Sequence, residues 1–492
     1  RIGQMQTGST GGNINLDILN STPTVAFGAI NPGTTSFNAN ALIQSTTGAL
    51  NAGGFSGAFT TNAGDGIGFI AATTLIIPGE GLSLPGINLL LKGTTDVVDD
   101  MLPLILPVNN DFDDRTLFID AGALSLQSGG AGGDTTLNTT ITSLTADITT
   151  ASSGLIVNET DAITLTNIDT NDGSIDINAN GDITVVDMDT AASAADSTDT
   201  VSLDTGGLSG TIIDGGDAAG NGITAQDIEL IAFAGIANGV GVDGRLEIDA
   251  TNLAATTVSG AIDIEDTTGG VTVKSVGLTS GVSLSGVTST DDNIDLRATG
   301  GSLVLEKNIT NSQGGDFTLI ATGTNSDVVI GNLSGASFVI TDAIAATTST
   351  ITIEADNSVI IGDSSGISEF ASGGVVNIDV TANKNNTAAG GGVIDMANCT
   401  AGTCGFIVSL KGQISLSTDG SNGGDITLAL LYAENSTAAD AITITSNGAV
   451  IDGSDDLLIP GGENIFAPVG GVVIDATTGV GSAAHGNATT TA

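Results

Sequence analysis

Between Val108 and Ile459 the chain contains no proline, although six of its eight prolines fall at or before Pro107 and the other two are Pro460 and Pro468. Proline cannot donate to a strand ladder, so a proline-free run of this length is what a continuous stack of mutually bonded strands requires. Inside the run, short apolar-x-apolar pairs recur between Gly, Asn, Asp, Ser and Thr. One series reads Val271-Thr272-Val273, Ile294-Asp295-Leu296, Phe317-Thr318-Leu319, Phe338-Val339-Ile340 and Val359-Ile360-Ile361, with steps of 23, 23, 21 and 21. A second interleaves, through Ile262-Asp263-Ile264, Val282-Ser283-Leu284, Leu303-Val304-Leu305, Val328-Val329-Ile330 and Ile351-Thr352-Ile353, with steps of 20, 21, 25 and 23.

Alternation with period two means a strand with one buried face. A longer repeat in the low twenties means one coil per repeat, with at least two strands in each. Helical periodicity is absent over any useful length. Stacked at the inter-strand spacing, the repeats predict roughly 16 coils and a rod on the order of 75 Å long. In Ile-Asp-Ile units the middle side chain points away from the core, so Asp176, Asp263 and Asp295 are expected on the surface. Thr190 to Thr200 and Ala382 to Gly392 read as loops extruded from the stack.

Composition supports the same fold class. The chain holds 71 Gly, 13 Phe, one Tyr and no Trp, so it lacks the bulky residues of an ordinary globular interior. Narrow ladders of β-branched residues need no bulky centre. Disorder is disfavoured by 40% hydrophobic content and a mean hydropathy of +0.31.

The pattern divides the chain into three: an atypical capping, assembly or secretion-like region at 1–118, solenoid repeats at 119–459, and a strand with a tail at 460–492. The first region holds seven of the 13 Phe, most of the prolines and a Leu-rich segment from Leu82 to Val108. A solenoid end exposes strand edges and needs a cap. The last region carries a strand-like Gly471-Val472-Val473-Ile474-Asp475, a candidate for pairing with a neighbouring copy.

The formal charge of −46, from 55 acidic and 9 basic residues, excludes nucleic acid and anionic membrane as electrostatic partners. It fits a solvated surface that blocks edge pairing, life in a saline medium, or divalent cation binding. The apolar stretch from Leu75 to Val108 is interrupted by Pro78, Glu80, Pro85, Lys92, Asp96, Asp99, Asp100, Pro103 and Pro107, and predicts no membrane span. Starting at Arg1, without a basic-then-apolar leader, the sequence reads as a processed or truncated product.

The two cysteines, Cys399 and Cys404, lack the further ligands that a zinc centre needs, since the single His is His485. They read as a local disulfide, which implies an oxidising compartment, with two free thiols as the alternative. For calcium, Asp111, Asp113 and Asp114 are candidate ligands. So is Asp134, in Gly129-Gly130-Ala131-Gly132-Gly133-Asp134-Thr135-Thr136-Leu137, which approaches one copy of a toxin-type calcium repeat. Gly-rich turns are the competing reading of both segments.

The Gly-x-Ile-x-Ile-x-Ala-like repeats resemble those of filamentous-haemagglutinin-type exoproteins over roughly residues 119–460. The segment Asn31-Pro32-Gly33, Phe37, Leu42-Ile43, Ser45-Thr46, Leu50 and Phe55 is similar to the secretion domain of two-partner systems, with Gly33 standing directly after Pro32. The resemblance implies an all-β, right-handed parallel β-helix, secreted and displayed at the cell surface as an adhesin, and no catalytic residue. The expected partners are other copies of the chain, bound through its terminal regions, or a host or neighbouring cell surface. No cofactor is expected beyond calcium.

The rival class is a carbohydrate-binding or polysaccharide-degrading β-helix. It calls for convergent carboxylates, basic residues and exposed aromatic rings. The repeat region offers Arg115, Arg245 and Arg297 with scattered Phe. Acidic pairs such as Asp291-Asp292 are uninformative in so acidic a chain.

Overall fold

In the computed structural model the chain is an all-β parallel β-helix, with no helix among the described residues. Described are residues 14–18, 24–26, 41–45, 49–51, 66–71, 74–77, 82–84, 86–99, 116–129, 133–190, 199–207, 209–216, 222–237, 244–277, 283–331, 339–342, 348–362, 365–369, 374–385, 391–396, 404–420, 424–434, 436–453, 464–481 and 490–491. Two compact units divide the chain: 1–226 with 240–242, and 227–239 with 243–492.

In the first unit, successive coils pair in register, at a constant interval along one stretch and with longer steps elsewhere, as from Leu91 to Leu126 and from Met188 to Ile223. Leu117 lies on Leu137, Leu137 on Val157, and Val157 on Ile177, so the repeat is constant along this column. A second column runs Ile67, Leu89, Leu124, Leu144 and Leu165, and a third Phe69, Leu91, Leu126, Ala146, Ile168, Met188 and Ile223. All of these side chains are buried. The stacking thus continues into the N-terminal region: strands Ala41–Ser45, Gly66–Ala71 and Asn88–Gly93 pair in sequence and join Ala123–Ser128. A separate parallel ladder, Thr24–Ala26, Ala49–Asn51, Thr74–Ile77 and Asp96–Asp99, is confined to that region.

The second unit stacks coils of three strands. Its long strand Leu246–Thr257 opens all three ladders at once, pairing with Ile262–Asp266, Gly270–Val273 and Val287–Ser289. The first ladder stacks Ile294, Phe317, Ile351, Ile378, Ile414 and Ile442, all buried. The second stacks Val271, Leu303, Val328, Val359, Ile394, Ile426 and Val450. The third stacks Val287, Ile309, Ile340, Ile367, Ile407, Leu431 and Ile465.

This topology corrects the expected register. Val271 stacks on Leu303 rather than Ile294, and Phe317 on Ile351 rather than Phe338. The two sequence series had threaded together strands from different ladders. Coils here also outgrow the low twenties, as the pairings of Phe317 with Ile351 and of Ile378 with Ile414 show. Longer coils mean fewer of them than expected. A parallel stack tolerates this because extra residues leave at the corners, where loop length changes stability only slowly.

Polar side chains at the corners hold one coil to the next. Oδ1 of Asp134 accepts the Gly154 N–H at 2.7 Å, Asp182 that of Thr211 at 2.9 Å, Asp316 that of Thr350 at 2.8 Å, and Asp425 that of Ala449 at 2.7 Å. Asp327 Oδ1 takes two donors from the following coil, Asn357 Nδ2 at 2.7 Å and the Ser358 N–H at 2.9 Å. A bend at a coil corner frees backbone donors from the ladder, and a short acidic side chain satisfies them. Replacing Asp327 by Ala is expected to cost about 1–3 kcal/mol, the penalty for leaving part-buried donors unmade. Hydrogen exchange at Ser358 should accelerate while exchange at Val304 stays unchanged.

Candidate functional site

Asp134, the one described member of the calcium set, serves as the corner acceptor for Gly154. Asp111, Asp113 and Asp114 lie outside the described residues. Among the described residues, no group of three or more His, Cys, Asp or Glu side chains is arranged to hold a metal ion. Cys404 is buried and disulfide-bonded. The chain's other cysteine, Cys399, lies outside the described residues. Residues 191–198 and 386–390, within the two expected extruded loops, do so too. No helix of the described residues is long and apolar enough to cross a membrane.

The expected surface acids do face outward, and their neighbours in the stack half-cover them. On the first ladder of the second unit, Asp263 pairs with Asp295 and Glu265 with Arg297, which sets like and unlike charges one rung apart. Arg297 binds Asp295 through Nε at 2.9 Å and Nη2 at 2.8 Å. Arg245 reaches Asp263 at 3.1 Å, Glu265 at 3.6 Å and Asp295 at 3.9 Å. The arginines thus neutralise a column of carboxylates that parallel stacking would otherwise drive apart. In the first unit Asp176 has its carboxyl raised, chiefly by burial, with the Asn178 amide opposing and Asp204 adding to the rise.

Several carboxyls sit in the interior columns themselves, Asp214 beyond Val185 and Asp452 beyond Leu428 among them, and burial perturbs two of these acids, Glu159 and Asp266. Glu159 occupies the column of Ile119, Thr139 and Ala179, accepting from Thr139 Oγ1 at 2.8 Å and from the Ile141 and Thr160 N–H groups at 3.0 and 2.7 Å. Burial raises its pKa against those bonds. Asp266 stands between Ile248 and a run of small residues, Ala298, Ala321, Ala355 and Ala382, and accepts the Gly270 N–H at 2.9 Å and the Ala250 N–H at 3.3 Å. Burial, then Asp249 and Glu265, push its carboxyl up to about 7.

The third ladder of the second unit carries a different surface. In strands Phe406–Ser409 and Leu430–Ala433, Ile407, Ser409, Leu431 and Ala433 face inward, while Phe406, Val408, Leu430 and Tyr432 face outward and are partly exposed. Phe406 pairs with Leu430, Val408 with Tyr432, and Tyr432 with Phe466. The Tyr432 and Phe466 rings stack with centroids 5.0 Å apart and planes 9° from parallel. Below Phe406 lies Gly366, where a Cβ would stand 2.5 Å from Phe406 Cδ2. The missing side chain lets that ring lie against the sheet.

Sequence reasoning missed this strip. Its signal was present: Phe406-Ile407-Val408 and Leu428-Ala429-Leu430-Leu431-Tyr432-Ala433 are unbroken apolar runs that carry aromatic residues at outward positions.

The last coil of the second unit consists of strands Gly471–Ala476, Gly479–Val480 and Thr490–Thr491, each the final rung of its ladder. Val472 and Ile474 are partly exposed there, whereas Ile442 and Ile444, one rung earlier, are fully buried. Val473 is 42% exposed and Val480 45%.

The architecture therefore defines an all-β parallel β-helix with stapled coils and a neutral strip on one face. Comparison with known proteins adds no narrower assignment: no family model, no curated protein and no solved structure matches the chain.

Proposed function

We propose that the chain is an extracellular structural β-helix without catalytic activity, working at a cell surface as an adhesin stalk, a fibre subunit or a surface-layer component. The observation that carries this reading is the use made of its carboxylates. Asp134, Asp182, Asp316, Asp327 and Asp425 each bind the backbone of a following coil, and the arginines tie down the outward acids. Such groups make a stack stiff, and these acids are engaged in holding it rather than converged on a substrate. The disulfide-bonded Cys404 suits an oxidising compartment. Val473 and Val480, exposed on the last described coil, offer apolar side chains to a neighbouring copy.

The carbohydrate reading finds support in the aromatic strip, but sugars stack on ring faces, and Tyr432 and Phe466 turn faces toward each other. The test is limited proteolysis of intact producing cells, paired with electron microscopy of the purified chain. Release of the chain from unbroken cells and rods or filaments in the microscope are the expected results. Retention of the chain inside protected cells would overturn the assignment, as would turnover of a polysaccharide.

A further inference from the structure

We propose that the strip of Phe406, Val408, Leu430, Tyr432 and Phe466 is a lateral docking face for a second copy of this chain, distinct from the contacts at the terminal coil. The inference deepens the structural reading above and rests on it. Charge selects the occupant. Two chains of formal charge −46 repel wherever their acidic faces meet, so copies associate through neutral surface. Outward positions of the first ladder carry Asp263, Glu265, Asp295, Glu354, Asp379 and Asp475. Those of the second ladder form one aliphatic column, Val304, Val329 and Ile360, which ends at Asp395 on the next rung. Strands Phe406–Ser409, Leu430–Ala433 and Ile465–Phe466 hold no Asp, Glu, Lys or Arg.

Shape points the same way. The rungs pair in register without a bulge, so the strip is a continuous sheet face, two columns wide at Phe406–Ser409 and Leu430–Ala433 and one at Phe466. Such a face fits another sheet face at the usual spacing of about 10 Å. A two-fold arrangement would place the same strip on both sides, which makes it self-complementary. A cationic partner would instead settle on the acidic faces, and a sugar would find the Tyr432 and Phe466 faces already stacked on each other, with the single Phe406 ring left to it. Five side chains on three rungs cover far less than the roughly 800 Å² per partner of a stable complex, so the strip anchors a weak dimer that salt promotes.

Sedimentation velocity of the full chain over a concentration series tests this at low salt and at about 1 M salt, where screening leaves a Debye length near 3 Å. The expected result is dimerisation that strengthens with salt, weakened at least tenfold by Val408→Asp and kept by Tyr432→Phe. The double variant Tyr432→Thr with Phe466→Thr changes outward positions only and should also stay monomeric with an unaltered circular dichroism spectrum. A wild-type chain that remains monomeric in high salt would overturn the proposal, and so would a Val408→Asp chain that dimerises as tightly as wild type. Capture of the monomeric wild type by insoluble polysaccharide or neutral vesicles, lost in Val408→Asp, would overturn it too. Filaments that survive Val408→Asp and vanish in Val473→Asp belong to the terminal coil, so failure of the lateral dimer leaves the structural role standing.

Discussion

Phe317→Ala is expected to lower the stability of the second unit by about 3–5 kcal/mol, the usual cost of deleting a buried phenyl ring. Phe317 is fully buried and stacked between Ile294 and Ile351, in a column where every other described member is Ile or Val. The column is narrow, and its neighbours are fixed by ladder bonds on both sides, so collapse around the cavity is limited. A stack in which each coil touches only the adjacent ones spreads such damage poorly. Urea unfolding followed by circular dichroism should therefore show an earlier transition, and splitting into two steps would mark coils on either side separating. The outward neighbour Thr318→Ala should change the stability by less than about 0.5 kcal/mol. A Phe317→Ala loss of less than about 1 kcal/mol would contradict a close-packed column.

The strands were largely legible and their partners were not. Period-two alternation identifies Ile294–Thr299, Phe317–Thr322 and Ile351 to Ala355 as half-buried strands. It does not say which lies on which, because Ile, Val and Leu are interchangeable members of any column. In the first unit the constant interval from Leu117 through Leu137 and Val157 to Ile177 leaves one answer. In the second, the third ladder uses strands as short as Ile309–Asn311, with one apolar inward residue, which pattern alone cannot separate from a turn. Corner insertions then vary the coil length and erase the period.

The acids divide the same way. Outward placement of Asp263 and Asp295 follows from alternation. So, in hindsight, does inward placement of Asp266, since Ile262, Ile264 and Asp266 share one face. Glu159 shares its face with Leu155 and Val157 in the same manner. Attention to the apolar pair alone stopped one residue short of both. The corner bonds of Asp327 and Asp425 require three-dimensional knowledge of which backbone N–H the turn above leaves open. The lateral strip requires both the register and the absence of charge across three strands distant in sequence.

Stability of the second unit is expected to fall as pH rises from about 4 to about 7, and Asp266 is the largest single cause. Its carboxyl is fully buried and raised from an ordinary 3.8 to about 7, first by burial and then by Asp249 and Glu265, against the bonds from Ala250 and Gly270. A group whose folded value is raised keeps its proton in the native state through a window where the unfolded chain has released it. Its contribution is complete below about pH 4 and is lost as pH climbs through about 7. At roughly 1.4 kcal/mol per pH unit, the window carries about 2–4 kcal/mol. Asp379, raised mainly by burial, adds a smaller slope of the same sign in this unit. Asp266→Asn keeps the size of the side chain and removes the titration, so urea midpoints of the variant should vary much less between pH 5 and pH 8. Asn leaves one of the Ala250 and Gly270 N–H groups without its acceptor at every pH, so the variant starts lower but should lose less between pH 5 and pH 8 than wild type, which must then hold a buried charge among like charges. A wild-type chain that gains stability between pH 5 and pH 7, or a variant with the wild-type slope, would show that Asp266 is ionised in the folded state at ordinary pH.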